Sequence, residues 1–319
     1  IKAANDPSLF AARDTSFSVS PSISGQVNLS SGAFTTSIPI EIPPGRNGLQ
    51  PAIAISYSSS GQIGVAGVGW DIPASSIVRL GAKRGTPKYD STDEFYLNLN
   101  GSSTKLIPYG DGTFRTEIET YSKIIPYYDN SVLKYWVVKS KSGETYTFGS
   151  SIYPGLYAYL TTFSNGQSVM NSWMLSKVED IDGNFINYNY TNPSGNGFFN
   201  ALLPSEISYG ANEAANLRHF AKITFSYTDI DPENDYMDIK TSYLLALGVP
   251  VKYAKRLEHI YVYSVESAPQ KILRDYSLEY GKSNFTGRSL LATLSVTYYK
   301  PDGSSPYTPP PYTFEYSEW

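Results

Sequence analysis

Cysteine does not occur anywhere in these 319 residues, which excludes disulfide scaffolds, thiolate metal sites and cysteine nucleophiles together. Histidine is almost as scarce. His219 and His259 are far apart and lack any HExxH or HxH spacing, so both read as ordinary structural histidines and not as metal ligands. Charged residues make up only 17% of the chain, the formal net charge is −4, and Lys and Arg form no block. The electrostatic footprint of a nucleic-acid binder is missing. No apolar run reaches the roughly 18 residues a membrane-spanning helix needs, so no transmembrane segment is expected. The opening IKAANDPSLF has no basic stretch followed by an apolar one, as a signal peptide would; beginning at Ile1, the chain is expected to be a piece of a longer protein. No GxSxG elbow exists, and the serines at 58–60 and 75–76 have no histidine nearby in sequence. The glycine run GQIGVAGVG at 61–69 spells GxxGxxGxG and ends in Trp70-Asp71, so it cannot form the phosphate cradle of a dinucleotide site. No cofactor is expected.

What the chain has in quantity is tyrosine. Its 28 Tyr outnumber 14 Phe and 4 Trp together, and 41% of residues are apolar; a core of good size is affordable, built from rings with one half-wet end that suit strands. Alternation of period two marks strands at 34–42, 52–57, 77–80, 94–99, 114–118, 135–139 and 145–148. Asn47-Gly48, Asn100-Gly101, Asp111-Gly112, Ser142-Gly143, Asn165-Gly166, Asp182-Gly183 and Asp302-Gly303 supply the positive-φ residues of tight reversals between them. Short helical turns are expected at 212–220 and 236–247, where Ala and Leu gather.

The second half holds a degenerate repeat. Ile186-Tyr188-Tyr190, Ile223-Phe225-Tyr227, Tyr276-Leu278-Tyr280 and Tyr312-Phe314-Tyr316 each set three large residues on one strand face. A strand of the type Leu-x-x-Ile/Leu/Val precedes each: Leu175 with Val178, Leu257 with Ile260, Leu291 with Leu294, and Leu203 with Ile207 at one residue more. Such pairs cannot bury their aromatic face alone, and stacking them into a continuous curved wall solves that problem.

The stretch GAFTTSIPIEIPPGRNGLQPAIAISYSSSGQIGVAGVGW, residues 32–70, is the most distinctive. Its PPGxNGL (Pro43, Pro44, Gly45, Asn47, Gly48) and its glycine-rich close on GxGW (Gly67, Gly69, Trp70) resemble the opening of the SpvB-type domain, which begins the B component of Tc toxin complexes. The resemblance continues in register through DEFYLNLNGSSTKLIP, YGDGTFRTEIETYSKI and SGETYTFG, then SWMLSKVEDIDGNFINYNY with Trp173, Asp180, Gly183, Asn184, Tyr188 and Tyr190, and ends on PPPYTFEYS. The WxLxxVxDxxGNxxxYxY pattern is shared with Rhs and YD-repeat proteins at large. The resemblance implies a shell or scaffold role, with a β-propeller and Rhs repeats following this domain.

Two acidic patterns invite a sharper reading. Glu117-Ile118-Glu119 spells the ExE of arginine-targeting ADP-ribosyltransferases; as part of an alternating strand, both glutamates would share a wet face beside Arg115 while Ile118 points to the core. In the family resembled, such a transferase lies downstream of a proline-rich linker. Asp180-x-Asp182-Gly-Asn184 begins like a calcium loop, but Thr191 stands where the closing Glu belongs, and the pattern is read as an ordinary hairpin turn in preference to a calcium site. Asp229, Asp231, Glu233, Asp235 and Asp238 read as a hydrated loop or a cation site. PYTPPP at 306–311 reads as a rigid lead-in to the last strand, or as a polyproline ligand.

The fold expected is all-β, antiparallel strands and hairpins stacked into a curved sheet or shell wall with very little helix. An extension at 1–23 would precede a domain at 24–317, with a first half at 24–160 and the hairpin repeats at 161–317. Trp70, Trp136 and Trp173 are expected to be buried anchors, Trp70 lying beneath the glycine run. The function expected is non-catalytic: a structural domain of a secreted bacterial toxin-related protein, part of a β-shell that encloses or presents a carboxy-terminal toxic polypeptide. Its partners would be its own downstream propeller, Rhs and toxin regions and other toxin-complex subunits. A surface or secreted binding module for a host glycan or protein is the alternative, and a domain associated with an ADP-ribosyltransferase the third.

Overall fold

Alternating large and polar residues make strands wherever they can pair, and the described residues are 56% strand and 4% helix. The computed structural model describes residues 24–29, 31–149, 158–164, 167–191, 202–242, 251–266, 269–300 and 305–316; the turns expected at Asn165-Gly166 and Asp302-Gly303 and the extension at 1–23 lie outside them. Near the amino terminus run β1 (Gly25–Val27), β2 (Phe34–Pro39), β3 (Ala54–Ser58), β4 (Ile63–Gly64), β5 (Gly67–Val68) and β6 (Trp70–Asp71). β1, β2, β3 and β6 form a small antiparallel sheet in that order, and β4 pairs with β5.

Then follow β7 (Ser76–Leu80), β8 (Glu94–Leu99), β9 (Ser102–Pro108), β10 (Phe114–Thr116), β11 (Lys123–Asp129), β12 (Val132–Lys139), β13 (Thr145–Phe148), β14 (Tyr159–Ser164) and the long β15 (Gln167–Glu179). From β7 to β13 each strand pairs with the next. β13 then pairs with β15 and β15 with β7, closing an eight-stranded antiparallel barrel. A barrel of eight strands is just wide enough to be filled by side chains. Here Trp136 lies 5.0 Å from Phe95, 5.2 Å from Phe114 and 5.9 Å from Trp173, four rings from four strands. The sequence predicts a wall, and this part of it closes on itself because β15 is long enough to serve two neighbours on each edge: β14 and β13 on one, β7 and β16 on the other.

The remaining strands are β16 (Asn184–Thr191), β17 (Leu203–Asn212), β18 (Ala221–Asp229), β19 (Lys240–Ser242), β20 (Val251–Tyr253), β21 (Lys255–Ser264), β22 (Lys271–Lys282), β23 (Ser289–Tyr298) and β24 (Tyr312–Thr313). The sheet extends from β15 in the order β16-β17-β18-β21-β22-β23-β24, and β19 with β20 forms a separate ribbon. Its inner face carries the expected repeat: Ile186, Ile207, Ile223, Phe225, Leu257, Ile260, Tyr276, Leu278, Leu291 and Leu294 are buried in one cluster with the barrel residues. Burial of each such side chain contributes roughly 1.5 to 3 kcal/mol.

Several local expectations need correction. No helix forms at 212–220; β17 ends in a turn bridged between Asn212 and Leu217. Within 236–247 the described residues hold one short 3-10 turn, Tyr236–Asp238, and then β19. β10 stops at Thr116, so Ile118 is not a core residue; it is 79% exposed. β9 and β11 were not foreseen, since each contains proline, which usually bars a strand from a sheet interior. Pro126 is accommodated because β10 reaches β11 only at Ile124, leaving no ladder partner on that side. The β11–β12 reversal uses Asn130 and Ser131 at φ 47° and 65°, a pair without the glycine that marks the Asn100-Gly101 turn.

Candidate functional site

The two most distinctive motifs, far apart in sequence, meet. Between β2 and β3, Asn47 and Gly48 adopt φ 50° and 79° in a tight 3-10 turn, and a Cβ on Gly45 would fall 1.8 Å from the Leu49 carbonyl oxygen, so the PPGRNG loop has one compact shape. Arg46 Nε donates to the Gly210 carbonyl at 2.7 Å while the guanidinium lies 5.3 Å over Phe220. Asn47 Nδ2 donates to Asp182 Oδ2 at 2.9 Å, and Tyr209 Oη donates to the Pro43 carbonyl at 2.7 Å. Opposite, Asp180 accepts from the backbone N–H of Asp182 at 3.0 Å and Asn184 at 2.8 Å, and from Asn184 Nδ2 at 2.9 Å. Asn212 Nδ2 donates to the Asp182 carbonyl and to Asn184 Oδ1, at 2.8 and 3.1 Å. Gly183 at φ 80° completes the hairpin tip. The Asp180 oxygens are occupied by N–H donors, the arrangement of a hairpin turn and not of a calcium loop. Pro44 stands exposed immediately before the loop glycine.

A second junction joins β6 to the segment that follows β24. Trp70 Nε1 donates to Tyr316 Oη at 2.8 Å, and that hydroxyl donates onward to the Leu291 carbonyl at 2.8 Å. The Trp70 ring packs 4.8 Å from Phe314 and 5.0 Å from Tyr57. Close approach depends on glycine: Gly69 at φ 78° would place a Cβ 2.6 Å from the Tyr57 ring, and Gly67 at φ 96° would place one 2.9 Å from the Ser289 carbonyl oxygen. Trp70, Trp136 and Trp173 are all essentially buried, as expected, and Trp173 Nε1 donates to the Lys134 carbonyl at 3.0 Å across the barrel.

The closing tyrosines share one device. Tyr190 donates to the Leu175 carbonyl at 2.8 Å, Tyr227 to Pro204 at 2.9 Å, Tyr280 to Leu257 at 2.6 Å and Tyr316 to Leu291 at 2.8 Å. In every case the acceptor is at, or one residue beyond, the leucine that opens the preceding strand of the repeat. Burial pushes the Tyr190, Tyr227 and Tyr280 phenols far above their ordinary range, and Tyr316 up to about 12; Tyr188, in the same row, is raised for the same reason. These hydroxyls are tied off as structural donors and are poor acids.

The acidic stretch is largely an exposed loop, as expected, pinned by ion pairs and with Asp238 alone of its carboxylates buried. Asp229 pairs with Lys255 at 2.7 Å, Asp235 with Lys282 at 2.6 Å, and Asp231 accepts from Glu233 N and Asn234 Nδ2. Asp238 is buried, accepts from Ser289 N at 2.7 Å and Ser289 Oγ at 2.6 Å, and faces Arg256 at 3.3 Å. Sequence reasoning missed Arg46, Tyr209, Asn212, Arg256 and Ser289, because the hydrogen-bond partners named above lie 18 to 166 residues away. Among the described residues no group of three or more His, Asp or Glu side chains is placed to hold a metal ion, and no helix is long and apolar enough to cross a membrane. Glu117 and Glu119 fall beyond β10, where Glu119 caps the Tyr121 N–H. Arg115 does not neutralise them; it lies 4.6 Å over Tyr109 and donates to Thr113 Oγ1. His259 Nδ1 sits 2.8 Å from Asp275 and stacks on Tyr261, and burial lowers the His219 pKa.

The fold and the sequence have counterparts in known proteins. A crystal structure of TcdB2-TccC3 superposes with a TM-score of 0.70 over 92% of this chain and 17% of that one, at 17% identity. The N-terminal domain of effector protein SpvB from Salmonella typhimurium strain LT2 superposes at 0.64, over 83% of this chain and 99% of that domain, at 18% identity. Curated relatives named mono(ADP-ribosyl)transferase SpvB, from Salmonella typhimurium and Salmonella choleraesuis, are 27% identical over 220 residues, 61% of this chain. The chain spans 35% of the length of those relatives. The family model described as Salmonella virulence plasmid 65kDa B protein matches residues 28–247, more than half of the sequence, and the chain belongs to this SpvB family of toxin-related proteins.

Proposed function

We propose that this chain is a non-catalytic structural domain of a secreted bacterial toxin-related protein, a section of β-shell that encloses or presents a carboxy-terminal toxic polypeptide. The observation that carries this reading is the pair of junctions that fasten residues 43–47 to the hairpin tip at Asp182 and Trp70 to Tyr316. The family's distinctive polar residues named above are spent on holding a wall together. The likeness to TcdB2-TccC3 supports the same reading at the level of the fold. Its partners are then the segments that follow it in its own reading frame and other subunits of a toxin complex, and its location is outside the producing cell.

The test is limited proteolysis of the protein that carries this chain together with everything that follows it. The carboxy-terminal polypeptide is expected to survive intact and to be cleaved once residues 24–316 are deleted; equal digestion of both would overturn the shell. The curated relatives' transferase name does not transfer to this stretch of chain: the purified domain is expected to be inert toward NAD, and a measurable NAD-dependent protein modification abolished by Glu119→Gln would contradict that.

A further inference from the structure

Arg79 stands two residues from the fully buried Ile77 on β7 and therefore shares its inward face. The inside of a barrel is a costly place for a guanidinium. Its central carbon lies 5.3 Å from the Phe95 ring, 5.4 Å from Tyr89 and 5.9 Å from Trp173, so aromatic faces surround it. Polar partners are few. Nε has no hydrogen-bond partner, and Nη1 stands 4.0 Å from Asp93 Oδ2, beyond hydrogen-bonding length. The two Asp93 oxygens already accept from the backbone N–H groups of Lys88 and Tyr89, at 2.8 and 2.7 Å. Arg79 lines a pocket of about 450 Å³ at one end of the barrel, whose apolar walls include Phe95, Leu106, Phe114 and Leu133.

A guanidinium offers five donors in a planar fork that matches a carboxylate. The same pocket is lined by Asp90, Asp93 and Glu94 against Arg79 and Lys105, and Lys105 is held by Glu94 at 2.6 Å. Surroundings with this acidic excess repel a dianion such as phosphate more than a monoanion. We propose that this end of the barrel binds a monocarboxylate borne on an apolar body, with the carboxylate on the Arg79 fork and the hydrocarbon against Phe95, Phe114 and Leu133. Small aromatic acids and the carboxy terminus of a peptide ending in an apolar residue offer this same chemistry.

The 319-residue chain is titrated separately with phenylacetate and with acetyl-glycyl-phenylalanine, reading the arginine side-chain N–H resonances by NMR and the heat by calorimetry. Saturable binding of at least one acid is expected, and the tighter of the two identifies the source. The methyl ester of that acid and inorganic phosphate are expected to bind at least about tenfold more weakly, since a bidentate charge-assisted pair accounts for roughly that factor or more. Arg79→Lys keeps the charge and loses the fork, and is expected to weaken binding by about tenfold with unchanged circular dichroism. An ester as tight as the acid, phosphate tighter than either acid, undiminished binding by Arg79→Lys, or no saturable binding of either acid would each overturn the site. Should Arg79→Lys fail to fold, the ester and phosphate comparisons on the unaltered chain decide.

Discussion

Asp238 is a carboxylate almost out of contact with water whose two oxygens serve Ser289 and Arg256. Removing one member of a buried ion pair leaves the other charged and uncompensated, which typically costs about 3 to 5 kcal/mol. Arg256 retains Asp235 at 3.8 Å, so Asp238→Ala is expected to fall near the lower end of that range, read as a lower urea midpoint with unchanged slope. The closing tyrosines make a gentler test. Tyr280→Phe keeps the ring and removes the donor to the Leu257 carbonyl, so a loss of about 1 to 2 kcal/mol is expected. Tyr316→Phe should cost more, because Trp70 Nε1 loses its acceptor at the same moment. Equal effects at both positions in denaturant titrations would mean the Trp70 link contributes nothing.

At the scale of elements, the glycine run shows why short strands suffice. β4, β5 and β6 are two residues each, too short to hold themselves, and are fixed by backbone-to-backbone approach against β3 and β23. Gly69→Ala adds a Cβ at a positive φ and 2.6 Å from the Tyr57 ring; a loss above about 1 kcal/mol is expected. Its signature is local: hydrogen exchange should accelerate in 54–71 before it does in the barrel strands. Uniform acceleration across the chain would show that this layer does not open on its own.

The whole molecule has an alkaline liability built into its tyrosine rows. Burial raises the phenol pKa values of Tyr188, Tyr190, Tyr209, Tyr227, Tyr276 and Tyr280 well above the ordinary 10.0. Above that value the unfolded chain releases protons that the folded chain retains, so stability is fully present below pH 10 and declines as pH rises past it. Several phenols acting together make the decline steeper than one proton. Phenolate absorbance is expected to rise in two stages, exposed rings first and the buried rows only with cooperative loss of structure; a single smooth titration at pH 10 with retained circular dichroism would refute this.

Strand content, the inward rows ending in Tyr190, Tyr227, Tyr280 and Tyr316, and the burial of three tryptophans are legible in the residues alone. Those follow from period-two alternation and from turn residues whose φ is set locally. What local chemistry cannot carry came from pairing between distant segments. Closure of the barrel depends on β15 pairing with β7 and β13 at once, and strand partners at such separation leave no local mark. The same holds for Asp238, which reads as one more member of a solvated acidic loop until Arg256 and Ser289 are brought against it. It holds for Glu117 and Glu119, whose alternation resembled a strand that ends at Thr116. The paired roles of Asn47 and Asp182 were legible only as two separate motifs, because a hydrogen bond across 135 residues is a property of the fold that brings them together.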